Sequence, residues 1–543
     1  MNPEPRAFAA VDLGTASVST ALIGRVEGRW RLLGSASAPA RVGAEPLLAR
    51  LVTRLNFVDP VLAATLGLGA EGDGAAADVT AGLTRLTSRT SPPPRIVVLA
   101  ASARVLEPLV AVAGAAGWKP RGLRLDDASA LEVVAALADP TIDVVLAGAG
   151  EPPGADERAL LPEITAHLVA AVNRRPGLSI VLSGGMAEPG GRAEQLLAGE
   201  RPGSLVLGPS ARAGEVPGAA LRVLLDRLRA ADDDGHLAMA RAASTLAGVL
   251  ERRVEVVDVG QSAGTRIVVN PGAPGTAPQV AAATVPAAAL IPAAVDDATV
   301  DAVGGWLTIA IDRLRLRDRL RELSLDPWAD PAGDGAMLRM AAARAALGRL
   351  VAATAWANQG PRAELLVAAG GTWAVAPGPA VALALADGVR RPGTSGLGLD
   401  HARLLGPIGM VDDPEERRAL VVDLRDDLIV PLGSVVMAAG MRAGRPGGTL
   451  TVHAAAGPAQ LDLVPGGLEL VDLPPGERAT IELRFKDPVD LGVKGRHFAV
   501  EVGGGLGGLL VDLRDVPLRL PDRPDRRRDI LSAWQSALWT IDG

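Results

Sequence analysis

The sequence predicts an α/β protein with two related lobes around a cleft and a C-terminal all-β module. Three observations predict this organisation. A strand–Asp–Gly–strand unit near the N-terminus has a counterpart in the second half of the chain. Strands and helices alternate between residues 95 and 230, and short apolar runs separated by Pro and Gly follow residue 440. Alternation at that spacing is typical of a mostly parallel sheet covered by helices, and the later pattern of a barrel or sandwich.

The first unit is Phe8–Ile23. It contains a buried strand, Asp12 at the strand end, a turn at Gly14-Thr15 and a second strand. Glycine permits a positive φ and lets backbone N–H groups approach an anion. Mg²⁺ prefers a carboxylate or two, waters and phosphate oxygens, so Asp12 is suited to a hydrated Mg²⁺. Ordinary hairpin turn chemistry accounts for the same local pattern.

The second unit is Val254–Val269, with the same layout around Asp258 and Gly260. Two copies of one unit indicate a duplicated fold, and two facing hairpins would grip a polyphosphate from both sides. The residues expected at the phosphates are Asp12, Gly14, Thr15, Asp258, Gly260 and Gln261, with Asp12 and Asp258 as ligands of Mg²⁺.

Two further helices are predicted from local sequence patterns. Asp126 or Asp127 is expected to cap the helix of residues 128–138, since a carboxylate accepts from free first-turn amides. The stretch Thr308–Leu323 is expected to be a charged amphipathic helix. Its arginines are better explained by a solvated face with internal ion pairs than by phosphate binding.

A third glycine site lies in Leu365–Leu385, where a strand is followed by Gly370-Gly371, a loop and a helix. A tight strand-to-helix turn and the approach of a flat ligand are equally good local explanations. The order of the three sites decides between them. Two phosphate-facing turns followed by a nucleoside-facing turn resemble the ribonuclease-H-like nucleotide cleft of actin, hexokinase and the large heat-shock chaperones. This resemblance implies duplicated actin-like lobes, bound ATP, and Gly370, Gly371 and Thr372 beside the adenosine.

Two segments indicate one particular family within this group. They are AAGGTWAVAPGPAVALALADG, which begins at Ala368, and GLGLDHARLLGPIGMV, which begins at Gly396. These segments, with the C-terminal stretch from LVPGGLELVDL onward, are similar to the glutamate mutase L family. That family comprises accessory proteins of adenosylcobalamin-dependent glutamate mutase. The resemblance implies an ATP-binding accessory or reactivating factor that uses ATP and Mg²⁺. Its partners would be cobalamin-dependent mutase subunits, and it would be at most a slow ATPase.

Several positions depart from that family. Its first loop has a Thr-Lys pair where this chain has Ser17-Val18-Ser19, so no lysine reaches the phosphates. In that family a strand is followed by a Gly-rich acidic loop, and the matching stretch here is Asp143–Glu157. This chain has Pro152-Pro153 where the family loop has glycines, which removes two amide donors. Glu151 in that loop is the catalytic candidate, positioned to orient an attacking water, and a surface glutamate is the alternative. Asp400 ends a strand and could simply cap the following turn.

The composition of the chain argues against several classes of partner, chemistry and location. The net charge of −7 and the pI near 5.5 argue against nucleic acid as a partner. The absence of cysteine excludes disulfides and cysteine nucleophiles, and with no apolar signal core at the start it favours a cytoplasmic location. The most apolar run, Val280–Val295, contains two prolines, so no membrane span is expected. A homodimer is left open.

The predicted domains are residues 1–240 and 241–440 for the two lobes and 441–543 for the β-rich module with a terminal helix. The leading functional hypothesis is the accessory factor. The alternatives are a catalytically degenerate actin-like scaffold, since the opening also resembles bacterial division and pilus actin-like proteins, and a small-molecule kinase. The kinase is disfavoured because no substrate-loop aspartate stands out.

Overall fold

A computed structural model of the chain describes residues 6–68, 83–90, 94–116, 118–188, 191, 193–195, 197, 205–211, 219–229, 234–272, 278–292, 294–328, 332–358, 360–373, 376–442, 446–455 and 457–538. Within these residues the fold is mixed α/β, and its strands form four sheets. The chain divides into two compact units. Unit 1 comprises residues 1–90, 233–282 and 287–543, and unit 2 comprises residues 91–232 and 283–286.

The strands, in chain order, are β1 (Ala7–Leu13), β2 (Ser17–Val26), β3 (Arg29–Pro39), β4 (Thr84–Arg89), β5 (Arg95–Ala100), β6 (Lys119–Arg124), β7 (Ile142–Ala149), β8 (Ser179–Gly184), β9 (Leu205–Leu207), β10 (Val254–Val259), β11 (Gly264–Asn270), β12 (Gln279–Val285), β13 (Leu365–Ala369), β14 (Gly393–Leu399), β15 (Val430–Met437), β16 (Gly448–Ala454), β17 (Gly457–Leu463), β18 (Leu468–Val471), β19 (Arg478–Asp490), β20 (Lys494–Gly503) and β21 (Leu509–Asp512).

The helices are α1 (Glu45–Val58), α2 (Pro60–Thr65), α3 (Ala103–Ala115), α4 (Ala130–Ala138), α5 (Ala155–Arg174), α6 (Ala219–Arg229), α7 (Gly235–Leu250), α8 (Asp297–Gly304), α9 (Arg313–Leu325), α10 (Gly333–Ala353), α11 (Gly378–Gly388), α12 (Leu405–Gly409), α13 (Pro414–Asp423), α14 (Arg425–Leu428) and α15 (Pro524–Ala537).

Unit 1 contains both predicted hairpins, and they are equivalent in register. In the first, β1 and β2 are antiparallel with Asp12 opposite Ser19. In the second, β10 and β11 are antiparallel with Asp258 opposite Thr265. Each leading strand also has a parallel neighbour on its other side, β4 for β1 and β13 for β10. Each aspartate is therefore held at the same point of a three-stranded arrangement.

The sheet orders of unit 1 are β3-β2-β1-β4, β12-β11-β10-β13-β14-β15-β21-β18 and β17-β16-β19-β20. Every residue of β10 is buried, which suits an inner strand with both faces covered. One hydrophobic core includes apolar residues from both hairpins, among them Phe8, Ile23, Val256 and Ile267. Helix α7 packs into that core through Leu246. The two hairpins are thus fixed within one packed body.

Unit 2 is the strand–helix alternation that the sequence predicts. Its five strands are all parallel, in the order β6-β5-β7-β8-β9. Its strands are short apolar runs such as IVVLA and VVLAGA, as expected for a buried parallel sheet.

The C-terminal strands are divided between two sheets. Four of them form the sheet β17-β16-β19-β20, whereas β18 and β21 extend the eight-stranded sheet beyond β15. A separate all-β module is therefore not confirmed, and the three-domain division at residues 240 and 440 stays a prediction.

Two helix starts differ from the sequence expectation. Helix α4 is capped by Ser129, not by Asp126 or Asp127, because Ser129 and Glu132 form a reciprocal capping box. Helix α9 begins at Arg313, not near Thr308. The side chain of Asp312 accepts from the backbone N–H groups of Leu314 and Arg315 and fixes the start there.

Candidate functional site

A cleft in unit 1 collects most of the residues singled out in the sequence. Its cavity volume is about 60 Å³. Its lining includes both hairpin turns, the Gly370 turn and the segment after β14. The lining residues used below are Asp12, Gly14, Thr15, Ser17, Asp258, Gly260, Gln261, Trp328, Arg339, Gly370, Gly371, Thr372, Asp400 and Arg403.

The two hairpin turns close in the same way. The backbone N–H of Gly14 donates to the carbonyl oxygen of Ser17 at 2.9 Å, and that of Gly260 to the carbonyl oxygen of Ala263 at 3.0 Å. Thr15 is exposed at the first turn. The phosphate contact expected at Gln261 is through its backbone amide and stays a prediction. The side-chain amide nitrogen of Gln261 donates to the carbonyl oxygen of Ser324 at 3.3 Å.

Asp12 has both carboxylate oxygens engaged. Oδ1 accepts from Ser88 Oγ at 3.0 Å, and Oδ2 lies 3.5 Å from Nη1 of Arg403. Burial raises the pKa of Asp12, and the charge of Arg403 and the Ser88 hydrogen bond only partly offset it.

Asp258 is only 5% exposed. Its Oδ2 lies 3.8 Å from Nδ1 of His236, and that nitrogen shares a 2.8 Å hydrogen bond with Thr265 Oγ1. Burial first, and then the negative charges of Asp12 and Asp400, raise the pKa of Asp258 to about 7 against the pull of Arg403. Asp258 therefore changes its protonation near neutral pH.

The Gly370-Gly371 turn lies directly against the second hairpin. Gly370 has φ +95°, which favours glycine, and a Cβ there would overlap Asp258 Oδ1. A Cβ at Gly371 would stand 2.6 Å from Ser17 Oγ, so this glycine also approaches the first hairpin. Thr372 is buried, and its hydroxyl donates to the carbonyl oxygen of Val259 at 2.6 Å. The structure thus brings all three predicted turns together.

Asp400 is buried and caps the turn that follows β14, as the local reading of the sequence suggested. Its two oxygens accept from the backbone N–H groups of Leu404 and Leu405, at 2.8 and 3.1 Å. Burial raises its pKa to about 7, although these two hydrogen bonds act in the opposite direction.

Arg403 is the functional candidate that sequence reasoning missed. It is 5% exposed and has φ +54°, an uncommon conformation for a residue other than glycine. Its Nη1 donates to Ser17 Oγ at 2.7 Å, whereas Nε and Nη2 have no hydrogen-bond partner among the described residues. The signal in the sequence was a lone arginine three residues after the strand-end Asp400.

Glu151, the predicted catalytic residue, lies in unit 2 and is exposed. It follows the carboxyl end of β7 and lines a cavity of about 400 Å³ with Arg104, Glu157 and Ser183. Its role in orienting a water stays a prediction.

The expected Mg²⁺ can be tested against the carboxylates of the cleft. Both oxygens of Asp12 and both oxygens of Asp400 already have partners, which leaves Asp258 as the least engaged. Within the described part of the chain, no group of three or more His, Cys, Asp or Glu side chains is arranged to hold a metal ion. The residues present therefore do not fit a cation ligated directly by Asp12 and Asp258, and that assignment stays a prediction.

Comparisons with known proteins give no family. Neither a protein-family model nor a curated protein matches the chain. Solved structures similar to it include nucleotide-free acetone carboxylase, a protein of ATP-dependent acetone carboxylation, at 12% identity and TM-score 0.27, covering 84% of this chain and 80% of that one. The ethanolamine utilization protein EutJ from Carboxydothermus hydrogenoformans is similar at 13% identity and TM-score 0.25, over 77% and 90% of the two chains.

A chain of the PilM–PilN type IV pilus biogenesis complex is similar at 13% identity and TM-score 0.19, over 77% and 98%. Such identities and TM-scores are too low to carry an argument about function. They give no support to the glutamate mutase L family. In the described residues, no helix has both the length and the apolar character needed to cross a membrane.

Proposed function

We propose that the cleft of unit 1 binds a nucleoside polyphosphate such as ATP. The observation that carries this proposal is the convergence of three glycine turns on one cleft. The turns at Gly14 and Gly260 present two equivalent hairpin ends, and the Gly370-Gly371 turn approaches both of them. Glycine turns let backbone and ligand come close, and an arginine beside them suits phosphate oxygens.

A second cavity in unit 1 supplies the nucleoside side. It shares Arg339 and Thr372 with the cleft and has a volume of about 190 Å³. Trp306, Met337 and Met340 give it an apolar lining. A cavity with apolar walls and a few polar groups is suited to a flat heterocycle. The phosphates would lie at the hairpins and the base beyond Thr372, in keeping with an actin-like nucleotide cleft.

We further propose that the protein acts as an accessory or reactivating factor for a cobalamin-dependent mutase. This step rests on the sequence resemblance at Gly370 and in the C-terminal stretch, and mutase subunits are its proposed partners. The degenerate scaffold is the second candidate, favoured by the engaged carboxylates of Asp12 and Asp400, which leave little machinery for hydrolysis.

The experiment is isothermal titration of the purified full chain with ATP, ADP, AMP and GTP, followed by a phosphate-release assay with and without mutase subunits. Saturable ATP binding supports the nucleotide cleft, and slow release accelerated by the subunits supports the accessory role. Gly371→Ala should weaken binding, because the new Cβ meets Ser17 Oγ. Gly348→Ala is the matched control, since a Cβ at that position of α10 meets nothing within 4 Å. Absence of binding by any nucleotide would contradict the proposal.

A further inference from the structure

Arg403 has hydrogen-bonding capacity that the described part of the chain does not use. An arginine stays protonated in proteins and has five N–H donors in a planar fork. Buried donors without partners are rare in native proteins because each costs free energy, so unpaired donors facing a cleft point to a ligand. Arg403 is 95% buried, lines the cleft, and has Nε and Nη2 unpaired among the described residues.

The guanidinium of Arg403 lies close to two of the glycine turns. A Cβ built on Gly14 would lie 3.9 Å from Nη1 of Arg403, and one built on Gly371 would lie 3.5 Å from it. The guanidinium therefore lies between the first hairpin turn and the double-glycine turn. Ser17 and Asp12 hold its Nη1 edge at 2.7 and 3.5 Å, which pre-organises the group.

The charges of the cleft leave Arg403 as the cation best placed for an anion. Three carboxylates face the same space, those of Asp12, Asp258 and Asp400. Arg339, the other arginine of the lining, has its guanidinium 5.5 Å from the ring centre of Trp328. A divalent ion at Asp12 would have to displace the Arg403 guanidinium and the Ser88 hydroxyl.

We infer that Arg403 holds the nucleotide phosphates in place of a divalent metal, so that nucleotide binding does not require Mg²⁺. The inference rests on the proposed function of the same cleft. Arg403 reaches the first hairpin from a segment nearly 400 residues further along the chain. The planar fork of an arginine donates two parallel hydrogen bonds to phosphate oxygens.

The test compares ATP binding by the unaltered full chain in excess Mg²⁺ and in excess EDTA. The expected result is similar affinity in both. Binding that occurs with Mg²⁺ and disappears in EDTA overturns the inference and leaves the nucleotide cleft standing. No binding in either condition overturns the proposed function and the inference with it. This comparison needs no variant, so it does not depend on the folding of a mutant.

Variants test whether Arg403 is the residue that holds the phosphates. Arg403→Gln and Arg403→Lys should each weaken ATP binding in EDTA by about tenfold to 100-fold, the usual worth of charge-assisted hydrogen bonds to phosphate. Arg362→Gln is the matched control, because Arg362 also donates to a serine, Ser395, at 2.6 Å but lies outside the cleft. Full affinity in Arg403→Gln contradicts the assignment.

Discussion

Gly370 and Asp258 lie so close that no side chain fits between them. A Cβ on Gly370 would overlap Asp258 Oδ1 and stand 2.9 Å from the carbonyl oxygen of Val259. The positive φ of Gly370, +95°, adds a conformational restriction to this steric one. The double-glycine turn and the second hairpin are thus matched to each other, independently of any ligand.

Replacing Gly370 by alanine should destabilise the protein. Strain of a non-glycine residue at this φ costs on the order of 1–3 kcal/mol, and the clash with Asp258 adds to it. Gly348→Ala, in the interior of α10, should instead leave stability unchanged or raise it by about 0.5–1 kcal/mol. Thermal unfolding of both variants measures the difference. Equal melting temperatures would show that the turn relaxes freely.

Asp258→Asn should stabilise the protein in a pH-dependent manner. Burial raises the folded-state pKa of Asp258 from 3.8 to about 7. The stability linked to the protonated carboxyl is full below pH 3.8 and is lost as the pH rises to 7. Asparagine is never ionised, so its advantage should grow across that window and level off above it. It should reach at most about 4 kcal/mol, the worth of three pKa units.

Melting temperatures of the unaltered protein and Asp258→Asn between pH 4 and pH 8 test this expectation. A constant difference across the range would mean that the carboxyl of Asp258 is ionised throughout. Glu482→Gln serves as the control, because Glu482 lies beside Arg484 and 42% of its side-chain surface is exposed.

Asp400→Ala, unlike Asp258→Asn, should destabilise the protein at low pH. The carboxyl of Asp400 accepts from two backbone N–H groups, and alanine leaves both without an acceptor, at about 1–3 kcal/mol for each. At pH 5 the carboxyl is protonated, so its removal relieves no charge and the variant should melt lower. At pH 8 relief of the buried charge offsets part of the loss. A variant equally destabilised at both pH values would rule out the raised pKa.

The sequence correctly predicted that some site residues are neighbours. Those residues have a recognisable pattern in the sequence around them. Asp12, Asp258 and Gly370 each follow an apolar strand and precede or form a glycine turn, so their chemistry is visible within a few residues. Arg403 has no such signature. Its importance depends on a left-handed backbone and on a hydrogen bond to Ser17, 386 positions away in the chain, and tertiary contacts of that kind leave no periodic trace.

The C-terminal region shows the same limit for the fold. Alternating apolar residues predict strands there, and β16–β21 are present. The alternation of apolar residues does not determine which sheet a strand joins. Strand β21 pairs with β15 instead of with the strand that precedes it in sequence. For α4 the sequence did hold the signal, because Ser129 and Glu132 have the Ser-x-x-Glu spacing of a capping box, which two nearby aspartates obscured.

The junction at which β21 pairs with β15 contains a buried ion-pair network. Asp512 is fully buried and accepts from Arg514 at 2.6 and 2.9 Å and from Arg390 at 2.7 and 3.2 Å. Arg514 also lies 2.8 Å from Asp387 of α11 and 4.5 Å from the ring centre of Trp534 in α15. The network therefore joins the C-terminal strand and helix to the helix that follows the double-glycine turn.

Asp512→Ala should destabilise the protein by about 3–5 kcal/mol, because it leaves two buried arginines short of a partner. Burial alone would raise the pKa of Asp512, but Arg514 and Arg390 outweigh it and lower the pKa to about 2. The contribution of Asp512 is therefore full above pH 3.8 and declines as the pH falls toward 2. Urea unfolding of Asp512→Ala and of the partly exposed control Glu482→Ala at pH 7 measures the difference, and the control should lose less than about 1 kcal/mol. A loss at Asp512 as small as that of the control would mean that Asp387 alone satisfies Arg514 and that the β21 junction does not depend on Asp512.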